Sequence, residues 1–177
     1  MKAFTCPHCD RVHPGLPTEW GFRQPDEVFA LSYVERYLRV RSNPDLCTLD
    51  ESRFFLRCVL ILPFADQDGT FGWGAWAEVG RAEHDDYLAL VEHHGDGSSA
   101  PLFPGLLANA IPGYRATLGV TVEVQSGGPT ARPTLWMPKR SRHTLAKEQR
   151  GGLSAGRHHH LLEACGYFRE TDRTATE

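Results

Sequence analysis

The sequence contains little that marks a protein for a membrane, for export or for binding to polyanions. Its longest apolar run, Cys58 to Ala65, has the length of a strand and is far shorter than the roughly 20 residues of a membrane-spanning helix. No basic segment followed by an apolar stretch stands at the N-terminus, so no signal peptide is predicted. The formal net charge is only −3, which provides no overall attraction to nucleic acid or to an anionic bilayer.

Cysteine is too scarce for a disulfide framework. The chain has five cysteines, an odd number, and without an export signal we expect a reduced protein in the cytoplasm. What is present is an ordinary globular composition: 177 residues, of which 41 % are hydrophobic and 23 % are charged. We expect one globular domain over residues 1–165 and a flexible polar tail over residues 166–177.

The N-terminal stretch FTCPHCDRVH places two cysteines and two histidines within ten residues. Cys6, Cys9 and His13 have the spacing C-x2-C-x3-H, and two thiolates two residues apart can bind one Zn²⁺ together. A tetrahedral site then needs further nitrogen or sulfur ligands. Residues 4–24 are therefore predicted to form a zinc-knuckle-like loop. Two unpaired thiols and a redox pair are the alternatives.

The hydrophobic pattern predicts strands in the middle of the chain and helices towards both ends. Helices are predicted at 25–40, 81–94, 144–150 and 155–164, and one helical turn within 106–114. The first of them rests on the helical spacing of Val28, Leu31, Val34 and Leu38. Strands are predicted at 46–62 with a turn near 51–52, and at 70–79, 117–124 and 132–138. Since hairpin turns outnumber crossovers, the expected class is α+β with a mainly antiparallel sheet and flanking helices.

Several segments, taken in order, resemble the bacterial family known as domain of unknown function 2199. The most specific are FGWGAW at 71–76 and HTLAKEQRGG at 143–152, and the stretches FTCPHC and DLCTLD accompany them. The resemblance extends from about Phe4 to about Leu153. It implies a fold shared with that family and no assigned activity.

The resemblance also implies a set of metal ligands. The N-terminal cysteine pair and the cysteine of DLC belong to the family pattern, which implies that Cys6, Cys9 and Cys47 act together, with His13 or His143 beside them. Three cysteines and one histidine would close a structural zinc site, so zinc is the expected cofactor. A site whose fourth ligand is missing or is water would be catalytic instead.

The aromatic segment TFGWGAWAEV permits two interpretations. Trp73 and Trp76, next to two glycines, would form a binding surface if they were exposed to a ligand. The alternative is a core strand, and it is favoured because aromatic residues lie on both faces of the strand.

The segment HTLAKEQ contains His143 and Glu148, which are a candidate acid/base pair or alternative metal ligands. The favoured alternative is a helix capped by Thr144 or Ser141, with solvated charges. Residues 139–160 also contain six Lys or Arg and a single Glu, which indicates either a phosphate-binding face or, preferably, a solvated surface.

These patterns favour a zinc-stabilised binding domain without catalytic activity. Its partner would be a protein or a small molecule, with no membrane and no nucleic acid. One alternative is a metal-dependent hydrolase with an open zinc site and His143 or Glu148 as the acid/base. Another is a nucleic-acid- or ribosome-associated factor that uses the basic C-terminal region. No catalytic residue is assigned.

Overall fold

The structure is a computed structural model that describes residues 4–5, 10, 12–13, 15–93, 102–127 and 131–168. The strands in these residues are β1 (Phe4–Thr5), β2 (Val12–His13), β3 (Glu19–Gly21), β4 (Val40–Ser42), β5 (Leu46–Leu49), β6 (Arg53–Pro63), β7 (Thr70–Val79), β8 (Phe103–Leu107), β9 (Thr121–Gln125) and β10 (Thr134–Trp136). The helices are α1 (Asp26–Ala30), α2 (Tyr33–Arg39), α3 (Arg81–Glu92), α4 (Thr144–Gly151) and α5 (Ala155–Ala164). The expected α+β class is confirmed.

Five consecutive strands, β6 to β10, close into a barrel. Each of them pairs antiparallel with the next along the chain. An odd number of alternating strands leaves the first and the last pointing in the same direction, so the closing pair β10–β6 is parallel. Six of the eight pairings in this sheet are antiparallel, and two, β10–β6 and β3–β7, are parallel. The closure of the sheet on itself was not predicted.

The barrel is extended by short strands on either side of its two longest members. The hairpin β4–β5 continues the sheet outward from β6, and β3 pairs with the first half of β7. The second face of β6 and β7 is covered by α1, whose Val28 packs with Phe55 and Trp76. Apolar side chains therefore occur on both sides of these strands, as the sequence pattern indicated.

Two apolar clusters follow from the alternation of side chains along β6. Leu56, Cys58 and Leu60 lie in the larger cluster, which includes Trp73 of β7 and residues of α4 and α5. Phe55 points the other way, into a smaller cluster that packs beneath α1. The members of this smaller cluster are Val28, Cys47, Leu49, Phe55, Trp76 and Ala108.

The helix predicted over residues 25–40 is divided in two. Leu31 has an extended backbone, and Ser32 is the N-cap of α2. Ser32 and Glu35 form a capping box: the Ser32 hydroxyl and backbone N–H both donate to the Glu35 carboxylate, and the Glu35 backbone N–H donates to the Ser32 hydroxyl. A local N-terminal cap thus overrides the continuous apolar period. The helical turn predicted within 106–114 is wrong, because its first residues belong to β8 and the rest form turns.

Two helices at the end of the described chain cover the barrel. Leu145 and Ala146 of α4 and Leu161 of α5 are completely buried in the larger cluster. Tyr167 and Phe168 also pack against this cluster, so packed structure continues past residue 165, while residues 169–177 lie outside the described part. No helix among the described residues is long and apolar enough to span a bilayer.

Candidate functional site

The N-terminal ligand candidates are only partly placed by the structure. Cys6 and Cys9 lie outside the described residues. His13 lies in β2, opposite Phe4 of β1. The hairpin pairing brings together the two ends of the segment that contains both cysteines. Among the described residues, no group of three or more His, Cys, Asp or Glu side chains is close enough together to hold a metal ion.

Cys47 lies in β5 and is buried among apolar side chains. Its side chain is 1 % exposed and packs in the smaller apolar cluster with Leu49, Phe55 and Trp76. Without a metal ion, burial raises the pKa of the Cys47 thiol to about 11. The described residues near Cys47 include no second metal ligand, while Cys6 and Cys9 lie outside the described part. Within the described part Cys47 is thus a core residue, and its role as a zinc ligand stays a prediction.

Trp73 and Trp76 are core residues, which corrects the alternative of an aromatic binding surface. Their exposed fractions are 0 % and 1 %. Trp73 stacks with Phe22 and meets the edge of Phe71. Trp76 faces the opposite side of β7 and donates its indole N–H to the carbonyl of Phe22 at 3.3 Å. The aromatic pattern on both faces reflects cover on both faces.

His143 caps α4 rather than serving as a free acid or base. Its Nδ1 accepts the backbone N–H of Leu145 at 3.1 Å, and its Nε2 lies 2.7 Å from the carbonyl oxygen of Arg115. This pair of contacts is satisfied by the neutral tautomer that carries its proton on Nε2. The cap expected from Thr144 or Ser141 is therefore supplied by the histidine itself.

Glu148 is held in a partly buried charged network. One carboxylate oxygen accepts from the Tyr114 hydroxyl, and the other accepts from Arg157 Nε at 2.8 Å. The Arg157 guanidinium also lies over the Tyr114 ring and donates to the carbonyl of Gly113 at 2.8 Å. Burial and the neighbouring carboxylate raise the pKa of Tyr114 well above its ordinary value. All three side chains thus join α4, α5 and the segment after β8 and hold them together.

Gln149, which the sequence argument passed over, connects α4 to the closing pair of the barrel. Its Oε1 accepts the backbone N–H of Met137 at 2.7 Å. Its Nε2 donates to the carbonyls of Leu135 at 2.8 Å and Ile61 at 3.4 Å, which belong to β10 and β6. The sequence signal for this role was the position of Gln149, one helical turn after Leu145 and Ala146 and thus on the buried side of the helix.

Gly152 is the C-cap of α4, and its backbone lies close to the backbone of Ala65. Its φ is +88°, and a Cβ placed on it would lie 2.9 Å from the backbone of Ala65. Beyond it, Leu153 exchanges backbone hydrogen bonds with Pro63 and Ala65 at 2.8 and 2.9 Å. We call HTLAKEQRGGL, residues 143–153, the fastening element of the barrel, because it bonds to both strands of the closing pair. The side chains of His143, Glu148 and Gln149 are all hydrogen-bonded within the fold.

The described part also contains a cleft of about 150 Å³ beside α1 and β8. Arg53 crosses it and donates twice to Glu78 at 2.7 Å, and it also bonds to Glu27. These carboxylates raise the pKa of Arg53 and occupy its donors. The charged residues of the cleft are thus paired with one another.

The most unusual surface belongs to α2. Four apolar side chains on α2 and a fifth on the preceding α1 have exposed fractions between 62 % and 80 %: Tyr33, Val34, Tyr37 and Leu38, and Phe29 of α1. We call them the α2 surface. A surface helix ordinarily turns its apolar side to the core, and α2 has no buried residue at all. The sequence argument missed this surface because it counted Val34 and Leu38 towards one continuous amphipathic helix.

Comparison with known proteins gives a family and no activity. A family model described as an uncharacterised protein conserved in bacteria, DUF2199, matches residues 5–153. No curated protein and no solved structure matches the chain. The matched range includes the barrel, α2 and the fastening element of α4, and it covers most of the chain. The protein therefore belongs to this uncharacterised bacterial family.

Proposed function

We propose that this protein is a non-catalytic interaction domain that binds a protein partner through the α2 surface. The observation that supports the proposal is the orientation of α2, which turns its apolar side to solvent. Contiguous apolar side chains rimmed by polar ones are typical of protein–protein contact sites. Aromatic residues, three of which occur here, are enriched at such sites.

The contacts of His143 and Glu148 also support a domain without catalytic activity. A hydrolase would need His143 or Glu148 free to exchange a proton with a substrate. Both ring nitrogens of His143 and both carboxylate oxygens of Glu148 already have partners within the fold. We therefore place the binding-domain hypothesis ahead of the hydrolase hypothesis.

The basic C-terminal region gives less support to a nucleic-acid factor than its composition suggested. Arg157 is paired with Glu148, and Arg150 donates to the backbone of Ser141 at 3.0 Å. Four further cations in this region are exposed: Lys139, Arg140, Arg142 and Lys147. No exposed stacking platform of interleaved aromatics occurs among them in residues 139–160.

Zinc remains part of the proposal, with a reduced ligand set. Cys6, Cys9 and His13 have suitable spacing in the sequence, and His13 lies in β2. The apolar surroundings of Cys47 argue against it as a fourth ligand. A structural site needs a fourth ligand in addition to these three, and a zinc ion held in this way would support the N-terminal hairpin.

Metal analysis of the purified full chain tests the zinc component. We expect about one equivalent of zinc in the wild type and in Cys47→Ala, and a loss of zinc in Cys6→Ser. Less than about 0.2 equivalents in wild-type protein prepared without chelator would refute zinc binding. Loss of zinc from Cys47→Ala with the fold retained would restore Cys47 to the site.

A photo-cross-linking amino acid tests the interaction surface. Placed at Tyr37 in bacteria that express the full chain, it should give one discrete cross-linked product. The matched control is the same amino acid at Trp136, which is exposed on β10 away from this surface. The product should disappear when Leu38→Glu is added. No discrete product from Tyr37, or a product insensitive to Leu38→Glu, would overturn the proposal.

A further inference from the structure

The polar side of α2 is bonded to the body of the domain, which fixes the direction of its apolar side. Arg39 donates to both carboxylate oxygens of Asp50, at 2.8 and 2.7 Å. The Asp50 backbone N–H in turn donates to the carbonyl of Arg39 at 2.9 Å. Glu35 completes the polar side through the Ser32 capping box and a 3.8 Å contact with Arg39. The helix is therefore held with its apolar side outward.

The preceding helix is anchored as firmly. The carboxylate of Asp26, in the first turn of α1, accepts from the Asn109 side-chain amide and from the Ala110 backbone N–H, both at 2.7 Å. Asn109 is fully buried and also accepts the Trp76 backbone N–H at 2.8 Å. The α2 surface is thus presented on a rigid support, so little ordering is needed when a partner binds.

The size of the α2 surface suits an interface between two copies. Given their exposed fractions, its three aromatic and two aliphatic side chains present roughly 600 Å² to solvent. Two such surfaces in contact would bury about 1,200 Å², the lower end of the range for specific protein–protein interfaces.

The charges around the surface are of both signs, which suits a second copy better than a lipid bilayer. The neighbouring ionised residues are Glu27, Glu35, Arg36, Arg39 and Asp50. Opposite charges can then face each other across a two-fold axis without net repulsion. A helix that binds anionic lipid carries an excess of cations on its polar face. The cations of α2 are Arg36 and Arg39, and Arg39 is paired with the carboxylate of Asp50.

We propose that the partner in the interaction described above is a second copy of this chain, bound by antiparallel packing of α2 on the same helix across a two-fold axis. This inference rests on the proposed function. In such an isologous contact, Tyr33 lies against Leu38 of the second copy and Val34 lies against Tyr37. Transient complexes have interfaces at or below this lower end of the size range, so we expect a dissociation constant on the order of micromolar.

Sedimentation velocity of the full chain between about 1 and 200 µM tests the dimer. The wild type should shift from monomer to dimer within this range. Leu38→Glu should weaken the dimer at least about tenfold, because symmetry buries a carboxylate against Tyr33 in each of the two equivalent contacts. Val91→Glu is the matched control: it adds the same charge to an exposed apolar position of α3 and should leave the dimer intact.

A mixture of Tyr33→Cys and Leu38→Cys chains tests the antiparallel register. Mild oxidation should give the mixed disulfide dimer, with much less product from either variant alone or from the wild type. A wild type that stays monomeric at about 200 µM, or a dimer unaffected by Leu38→Glu, would overturn the inference. A monomer that binds phosphatidylglycerol vesicles through Leu38 would overturn it too. A monomer whose Tyr37 cross-links to a different protein would refute the dimer and leave the proposed function standing.

Discussion

The contacts of Gln149 with the barrel lead to a prediction for the variant Gln149→Leu. The substitution keeps the side-chain volume but removes the acceptor for the Met137 N–H and the donor to the Leu135 carbonyl, both in buried surroundings. Leaving a buried backbone group without its partner costs about 1–3 kcal/mol for each group. We therefore expect the free energy of unfolding to fall by about 2–5 kcal/mol, a large part of the roughly 5–15 kcal/mol of a typical domain.

Urea unfolding followed by circular dichroism measures this loss as a lower midpoint with an unchanged slope. In a thermal melt the same loss corresponds to a decrease of about 5–15 °C for a chain of this size. Lys147→Leu is the matched control, because it makes a polar-to-leucine change at an exposed position of the same helix and should alter stability by less than about 0.5 kcal/mol. A loss below about 1 kcal/mol for Gln149→Leu would show that Gln149 does not fasten the barrel.

Three further variants examine the surrounding elements. Gly152→Ala should lower stability by about 1–3 kcal/mol in urea unfolding, because it combines a positive φ with a backbone clash, whereas the neighbouring Gly151→Ala, with open space around its Cβ, should be neutral or slightly stabilising. Glu148→Gln should lower the pKa of Tyr114, measured by ultraviolet titration of the phenol, and an unchanged titration would contradict the network described above. Burial lowers the pKa of His158 below its ordinary 6.5, so its contribution to stability is complete above about pH 6.5 and is lost as the pH falls below this value. His158→Gln should flatten this part of the curve of stability against pH, and an unchanged curve would contradict the assignment.

The positions of β5, β6, β7, β9 and β10 were predictable because their signals are local, whereas β1 to β4 and β8 were not predicted. The alternation in β6 and β7 and the turn between β5 and β6 could be recognised from apolar periodicity and turn residues. Closure of the barrel could not be recognised in this way. The parallel pair β10–β6 joins segments more than seventy residues apart, and β10 is a short strand with a weak pattern of its own. A local pattern does not reveal which distant strand is a neighbour.

The split of α1 from α2 was present in the sequence but overlooked. The pattern S-x-x-E at Ser32 and Glu35 marks the start of a helix, and it competes with an apolar period that runs through the same residues. Side-chain burial decided between the two, since Val28 enters the core while Val34 stays exposed. Only tertiary contacts distinguish these two valines.

For the site residues too, the local structure could be predicted from the sequence but the tertiary partners could not. The pattern of HTLAKEQ correctly marked a helix, but the partners of Glu148 come from Tyr114 and Arg157, on separate segments. Cys47 was predicted as a ligand because it belongs to a family motif, and that role stays a prediction; its buried position among apolar side chains could not be inferred from a linear pattern. The candidate residues were thus found more reliably than their roles.

The parallel closure of the barrel has a consequence for the order of events during synthesis. β6 leaves the ribosome long before β10 exists, so its closing edge stays without a partner while the intervening chain is made. Gln149 of α4, which bonds to both strands of this closing pair, lies later still in the chain. A nascent chain that ends before β10 therefore exposes an open, apolar sheet edge along β6, and closure of the barrel must wait for the last third of the domain.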